Sequence, residues 1–300
     1  MPGSPDKDTP DNTHPGMDGS LTIQRRKDRP IRTAVKDGVI VALVLMGLTA
    51  CQGKRVAPAP GGAPPPGGRP SAAAYRTPPA VTTATLAPGG RVRLVGRADP
   101  GDSVRLTTPA GPAAYALAGK DGVWRLMLPP AAEPRLYGLA MFDHGRAVQS
   151  EGYIAVTPRG TAAQLRAGAG ALVMGERAPG PAILAVDFDS KGGTVVSGRA
   201  SPRAVVDLWV DGVRRGRGGA GPDGLFSVAL DEPLSFDDHQ MAIVDGARRA
   251  EARPRLTAPQ PLSGGPYRAT EAPGGWRIDW MTPGGGLQTT LLLTGEAGAS

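Results

Sequence analysis

Residues 80–150 align without a gap on residues 182–252 at a constant offset of 102, and 16 of the 71 positions are identical. Unrelated segments of this composition would share about six. A chain that writes one pattern twice folds as two similar units, so each stretch of about 70 residues has to be read as a small module. The identities cluster: "VGRADPGDSVRL" (95–106) matches "SGRASPRAVVDL" (197–208), "AGKDGVWRLML" (118–128) matches "AGPDGLFSVAL" (220–230), and "DHGR" matches "DGAR". With 44 Gly, 32 Pro and only 4% aromatic residues, small modules joined by loops are a better solution than one large core.

Within each copy the local pattern is that of strands. Val206, Leu208 and Val210 alternate with Val205, Asp207 and Trp209, and Asp211-Gly212 follows as a tight-turn pair that tolerates positive φ. The segment "VVDLWVDGVRRGRG" therefore predicts a hairpin. Asp121-Gly122 and Asp223-Gly224 predict a second turn in each copy, followed two residues on by Trp124 or Phe226 at the start of a short alternating strand. Several short strands in about 75 residues predict a sandwich. Beyond the second copy, "GGWRIDWMTPGGGLQTTLLLT" alternates Trp276, Ile278 and Trp280 before a Pro/Gly turn, which predicts a closing hairpin. Residues 163–174 are its weaker counterpart, extending the repeat toward 100 residues.

The second copy resembles the bacterial immunoglobulin-like (Big-type) modules, with their running V-x-G-x-A-x-P-G-A-x-V-x-V-x-x-D-G and G-x-x-x-A-x-x-D-G-x-F/W pattern. It departs at Arg203, where glycine is usual, and the first copy departs in its hairpin, "TTPAGPAAY". The resemblance implies tandem immunoglobulin-like β-sandwiches. Similar modules accompany LysM domains in alphaproteobacterial envelope proteins, but no LysM pattern follows here, so glycan binding does not transfer with the fold.

The N-terminal region points to an address. Arg25, Arg26, Lys27, Arg29, Arg32 and Lys36 precede a mostly apolar run of thirteen residues, 38–50. A membrane-spanning helix needs about 20, whereas a signal-peptide core needs no more than this. The run ends in Leu48-Thr49-Ala50-Cys51, which resembles a bacterial lipobox. That resemblance implies cleavage before Cys51, with Leu48, Thr49 and Ala50 recognised by the signal peptidase, and a covalent lipid on the Cys51 thiol. Gln52 rather than Asp after the cysteine implies outer-membrane retention. Arg25-Arg26 is followed by Lys27-Asp28, unlike a twin-arginine signal, so ordinary export is expected. The polar presequence is long, leaving Met1 and Met17 as alternative starts.

These readings give an all-β chain organised as 1–50 signal peptide with a polar extension, 51–79 lipid anchor and tether, 80–160 repeat 1, 161–181 connector, 182–262 repeat 2 and 263–300 hairpin. Residues 52–79 hold eight prolines and predict an extended spacer reaching at most ~3.1 Å per residue.

Chemistry is sparse. Cys51 is the only cysteine, which excludes an internal disulfide framework, paired-cysteine zinc sites and dithiol redox chemistry. After residue 50 there are 27 basic and 21 acidic side chains, a modest excess that generically favours acidic polymers. His14 falls in the presequence, and His144 and His239 each follow an aspartate in a turn, where solvated loop histidines are expected. "DFDSKGG" (187–193) lacks the third ligand and the glutamate of a calcium loop. No cofactor and no metal are expected. The candidate binding residues are Trp209, Trp276 and Trp280 as stacking surfaces and Arg214, Arg215 and Arg217 as anion contacts. Export and the lack of interleaved aromatics argue against nucleic acid. The expected partners are the membrane, through the lipid, and an envelope protein or peptidoglycan. The expected role is a non-enzymatic structural or binding module on the periplasmic side of the outer membrane; the alternatives are an anionic-glycan binder and, behind it, a hydrolase using His144 or His239.

Overall fold

The computed structural model describes residues 76–143, 145–175 and 180–293. Leu48, Thr49, Ala50, Cys51, His14 and His144 lie outside the described residues, as does the tether before Arg76. What is described is all β: two tandem immunoglobulin-like sandwiches, each followed by a three-stranded meander.

Repeat 1 contributes β1 (Ala80–Ala87), β2 (Arg91–Arg97), β3 (Ser103–Thr107), β4 (Ala113–Leu117), β5 (Val123–Leu128), β6 (Arg135–Asp143) and β7 (Arg146–Gln149). Its meander is β8 (Tyr153–Val156), β9 (Ala162–Leu165) and β10 (Leu172–Met174). Repeat 2 contributes β11 (Ala182–Asp189), β12 (Thr194–Arg199), β13 (Val205–Val210), β14 (Val213–Gly219), β15 (Leu225–Ala229), β16 (Met241–Asp245) and β17 (Arg248–Ala252). Its meander is β18 (Tyr267–Ala272), β19 (Gly275–Met281) and β20 (Leu287–Leu293).

In each repeat the first, second and fifth strands form one sheet, β1-β2-β5 and β11-β12-β15, and the fourth, third, sixth and seventh form the other. This is the immunoglobulin-like arrangement of two antiparallel sheets packed over one core. The alternation read in the sequence sorts the faces: Val104 and Leu106 of β3, and Val206 and Leu208 of β13, point inward and are fully buried. Even an irregularity repeats, a bulge between Val81 and Thr83 in β1 and between Ile183 and Ala185 in β11.

The repeated glycines have a packing cause. A Cβ on Gly96 would stand 2.2 Å from both the Ala80 carbonyl oxygen and the Trp124 ring, and one on Gly198 would stand 2.1 Å from the Ala182 carbonyl oxygen and 2.8 Å from Phe226. In both copies the large aromatic lies flat on a strand that has no side chain there. The departure at Arg203 is accommodated in the backbone: it holds φ +61°, where Gly101 of repeat 1 holds +82°, so an arginine occupies a left-handed position.

The boundaries drawn from the sequence change in two places. Residues 163–174, read as the weaker counterpart of the closing hairpin, do form one: Ala162–Leu165 pairs with Leu172–Met174 and buries Ala163, Leu165 and Val173, so the connector 161–181 carries strands of its own. The C-terminal hairpin β19–β20 is present but gains β18, and it is part of repeat 2, since β20 pairs with β11 along Ala185–Asp189. The meanders also attach differently, the first through β8 to β6 and the second through β20 to β11.

Candidate binding faces and the seam between repeats

The two sandwiches are joined by a core of their own. Leu136, Ala155, Ala163, Leu165, Ala171 and Val173 from repeat 1 and its meander pack with Ala185, Trp276, Ile278, Trp280 and Leu292 from repeat 2. The small residues of β8 and β9, facing Ala185 of β11, leave space that Trp276, Ile278 and Trp280 of β19 and Leu292 of β20 fill. Trp280 is 0% exposed, meets the Tyr153 ring edge-on at 5.9 Å and donates its indole N–H to Thr290 Oγ1 at 3.1 Å. Trp276 is 7% exposed. Trp280 offers no face to a ligand, and Trp276 shows only an edge beside Pro254, Arg255 and Pro273. The alternating strand of the closing hairpin is buried on the seam.

Polar bonds lock the same seam. The Asp187 carboxylate of β11 accepts the Ala171 backbone N–H at 2.8 Å and the Thr290 hydroxyl at 2.5 Å, and Gln288 Oε1 accepts the Gly168 backbone N–H at 3.1 Å. Complete burial pushes the Asp187 carboxyl up from 3.8 to about 6, partly offset by the hydrogen bonds from Thr290, Ala171 and Gln288. Gly170, between these contacts, has φ +79°, and a Cβ there would stand 2.4 Å from Ser197 Oγ.

A second buried carboxylate, Asp279 of β19, holds the outer side of the meander. It accepts from Arg268 at 2.6 Å, from Arg277 at 2.8 Å and from the Thr289 hydroxyl at 2.6 Å. Burial raises its carboxyl, but the bonds from Arg277, Thr289 and Arg268 outweigh burial and hold it below the usual carboxylate range.

At the other end of repeat 1, Arg76 clasps three carboxylates, donating to Asp99 at 2.7 Å, Asp102 at 2.7 Å and Asp143 at 2.6 Å. The tether is thereby fastened to the tip of the first sandwich. Repeat 2 satisfies the corresponding tip internally: Asp245, which matches Asp143, accepts from Ser201 and Arg248.

Trp209, Arg214 and Arg217 are brought together on the outer face of β13 and β14. Trp209 is half-buried opposite Arg214, and Asp207 lies 3.4 Å from Arg217 Nε and 3.5 Å from Arg214 Nη1. Arg215 leaves this group and pairs with Glu232. The arginines are exposed, but Asp207 sits between two of them, so the patch is largely neutralised from within.

His239 is not the solvated loop residue expected. It is 7% exposed, with Nδ1 2.7 Å from Asp211 Oδ2 and Nε2 3.0 Å from the Ser235 carbonyl. Burial lowers its pKa, but the Asp211 and Ser235 contacts outweigh burial and raise it above 6.5, while the His239 hydrogen bond holds Asp211 below its ordinary value. Both ring nitrogens are engaged in tying the segment before β16 to the β13–β14 turn. Asp189 is likewise a turn residue, accepting the Lys191 and Gly193 N–H groups.

Fold and faces together define a tandem immunoglobulin-like β-sandwich protein. No protein-family model matches the chain, and no curated protein matches it. Among solved structures it is similar to a biofilm-associated protein BSP domain, at 13% identity and TM-score 0.22 over 61% of this chain and 30% of that chain. It is also similar to the central fibronectin-III array of RIM-binding protein, at 13% identity and TM-score 0.24 over 72% of this chain and 89% of that one. The chain thus spans under a third of the BSP structure. The fold assignment rests on the strand order described above.

Proposed function

We propose that the chain is a lipid-anchored protein of the bacterial outer membrane, facing the periplasm, whose two repeats act together as one stiff, non-enzymatic structural or binding module. The observation that carries the module reading is the seam core: eleven buried residues drawn from both repeats pack together, unlike independent beads on a string. The anchor reading rests on Leu48-Thr49-Ala50-Cys51 and the thirteen-residue apolar run before it. Lipid on Cys51 fixes one end, the Pro-rich tether gives tens of ångströms of reach, and Arg76 fastens that tether to the first sandwich. One acyl chain binds membranes only reversibly, so stable residence requires more than one.

Fractionation of cells producing the wild type and Cys51→Ser tests this. The wild type should be recovered with the outer membrane and the variant should be missing from that fraction; a variant still recovered with the outer membrane would refute the anchor. A second reading, an anionic-glycan binder, is favoured by the exposed Arg214 and Arg217 beside Trp209. A muropeptide pull-down unaffected by Trp209→Ala and Arg214→Ala would remove that face from consideration.

A further inference from the structure

The outer face of β3 and β6 in repeat 1 holds a cavity of about 230 Å³ lined by Arg105, Thr107, Gly138, Gln149, Ser150 and Tyr153, among others. Its position is informative because the duplicated module shows the same place in another state. At the repeat offset Thr107 matches Trp209 and Arg105 matches Asp207. In repeat 2 an indole occupies this face, and Asp207 Oδ1, which makes no hydrogen bond, is neutralised by Arg214 Nη1 at 3.5 Å and Arg217 Nε at 3.4 Å. In repeat 1 the large side chain is missing and the charge is reversed.

Two polar atoms of the cavity have no protein partner. Arg105 Nε and Thr107 Oγ1 are both buried without a hydrogen bond. An unsatisfied buried polar atom costs about 1–3 kcal/mol, and native folds seldom keep two side by side without a use for them. The guanidinium carbon of Arg105 lies over the Phe142 ring, 4.5 Å from its centroid, a contact that uses none of its N–H donors. No acidic side chain lines the cavity. Ser150 Oγ already takes a hydrogen bond from Gln164 at 3.3 Å, so its own hydroxyl proton remains to donate, and the Tyr153 ring supplies an apolar wall.

We propose that this cavity binds a small carboxylate that also carries hydroxyl or amide groups, such as one acidic sugar residue. The carboxylate pairs with Arg105 and Thr107, and the remaining polar groups meet Ser150 and Gln149. A single cation matches a single negative charge, which favours a carboxylate over a doubly charged phosphate. The volume lies below the roughly 300–1,000 Å³ of sites for larger ligands, which limits the occupant to about one ring. The site belongs to repeat 1 and does not depend on how the chain is anchored.

Calorimetric titration of the purified full chain with glucuronic acid, N-acetylmuramic acid, N-acetylglucosamine and inorganic phosphate tests the proposal. One or both acidic sugars should bind, and which one does separates a general polysaccharide source from a peptidoglycan source. The neutral sugar and phosphate should bind at least tenfold more weakly. Arg105→Gln should weaken binding at least tenfold. Gly138→Val should block it while leaving the fold intact, since a Cβ at Gly138 meets only the Thr107 carbonyl oxygen at 3.9 Å. Thr107→Val gives the sharpest reading: it should raise the urea midpoint, because the orphaned hydroxyl is gone, and still weaken binding at least tenfold. Failure of both acidic sugars to bind, equal binding of the neutral sugar or of phosphate, or wild-type affinity in Arg105→Gln and Thr107→Val would each overturn it. A wild type that binds as described but fractionates as a soluble protein would overturn the anchor and leave the site standing.

Discussion

Asp187→Asn should remove most of the pH dependence of stability between pH 4 and 6. The wild-type carboxyl is fully buried in the seam and titrates at about 6 rather than 3.8. At roughly 1.4 kcal/mol for each pH unit, burying it in ionised form costs about 3 kcal/mol. The folded state keeps its proton up to about pH 6, whereas the unfolded chain loses it near 3.8. Over that interval the folded state binds more protons, so stability falls as pH rises, at no more than about 1.4 kcal/mol per unit. Glu251, lowered from 4.5 by its hydrogen bonds from Arg249 and Gln240, touches the window only below pH 4.5 and with the opposite sign; the other shifted groups act outside it. His239, raised above 6.5, contributes stability below that value that is lost as pH climbs through its folded pKa. Asp279 and Asp211, both lowered, contribute stability above 3.8 that is lost as pH falls through their folded values.

An asparagine keeps an oxygen for the Ala171 N–H and the Thr290 hydroxyl and carries no charge. Urea unfolding followed by tryptophan fluorescence should place Asp187→Asn within about 1 kcal/mol of wild type at pH 4 and about 2 kcal/mol above it at pH 7.5. A wild type whose stability is flat from pH 4 to 6, or a variant that keeps the wild-type slope, would refute the reasoning.

Substitutions at two further positions probe the sandwiches themselves. Trp124 is fully buried with an unpartnered indole N–H, and repeat 2 places Phe226 at the matching position. Trp124→Phe should therefore change stability by less than about 1 kcal/mol, with the lost packing offset by the removed orphan donor, while Trp124→Ala should cost about 3–5 kcal/mol in the same urea assay. Arg76→Ala takes the shared counter-ion from Asp99, Asp102 and Asp143 and should lower the urea midpoint; Arg76→Lys should recover less than half of that loss, because an ammonium cannot present the guanidinium fork to three carboxylates.

The duplication was the most legible part of the chain. The constant offset reproduces the strands almost residue for residue, β1 against β11 and β5 against β15, because the turn pairs Asp121-Gly122 and Asp223-Gly224 set the same register in both copies. Glycines 96 and 198 could be seen as repeated, although only the packing of Trp124 and Phe226 explains why. What stayed hidden depends on distant contacts. Sequence offset places Ala242 opposite Asp207, as Ala140 stands opposite Arg105, but Ala242 pairs with Trp209 instead. The strand has slid by two residues, which preserves the inward face and so leaves no trace in the alternation. The residues before β16 are drawn into the Asp211–His239–Ser235 contacts, and β16 begins at Met241 where β6 begins at Arg135.

The seam was hidden for a related reason. Alanines 155, 163 and 171 carry no signal of a shared core, because a small side chain is uninformative until a tryptophan is found packed against it. The repeat 1 cavity was legible only in contrast: Thr107 and Arg105 stand where repeat 2 writes Trp209 and Asp207. That signal was available in the alignment, but it needed the two positions to be recognised as sharing one face.

The central claim is that the seam makes the two repeats a single body. Spin labels on cysteines introduced at Lys120 in the β4–β5 turn and Arg249 in β17, in a Cys51→Ser chain, measure it by pulsed dipolar spectroscopy. One narrow distance distribution is predicted, broadening in Gly170→Val, where a branched side chain has to enter the space held by Ser197. A broad distribution in the chain that retains Gly170 would contradict the account.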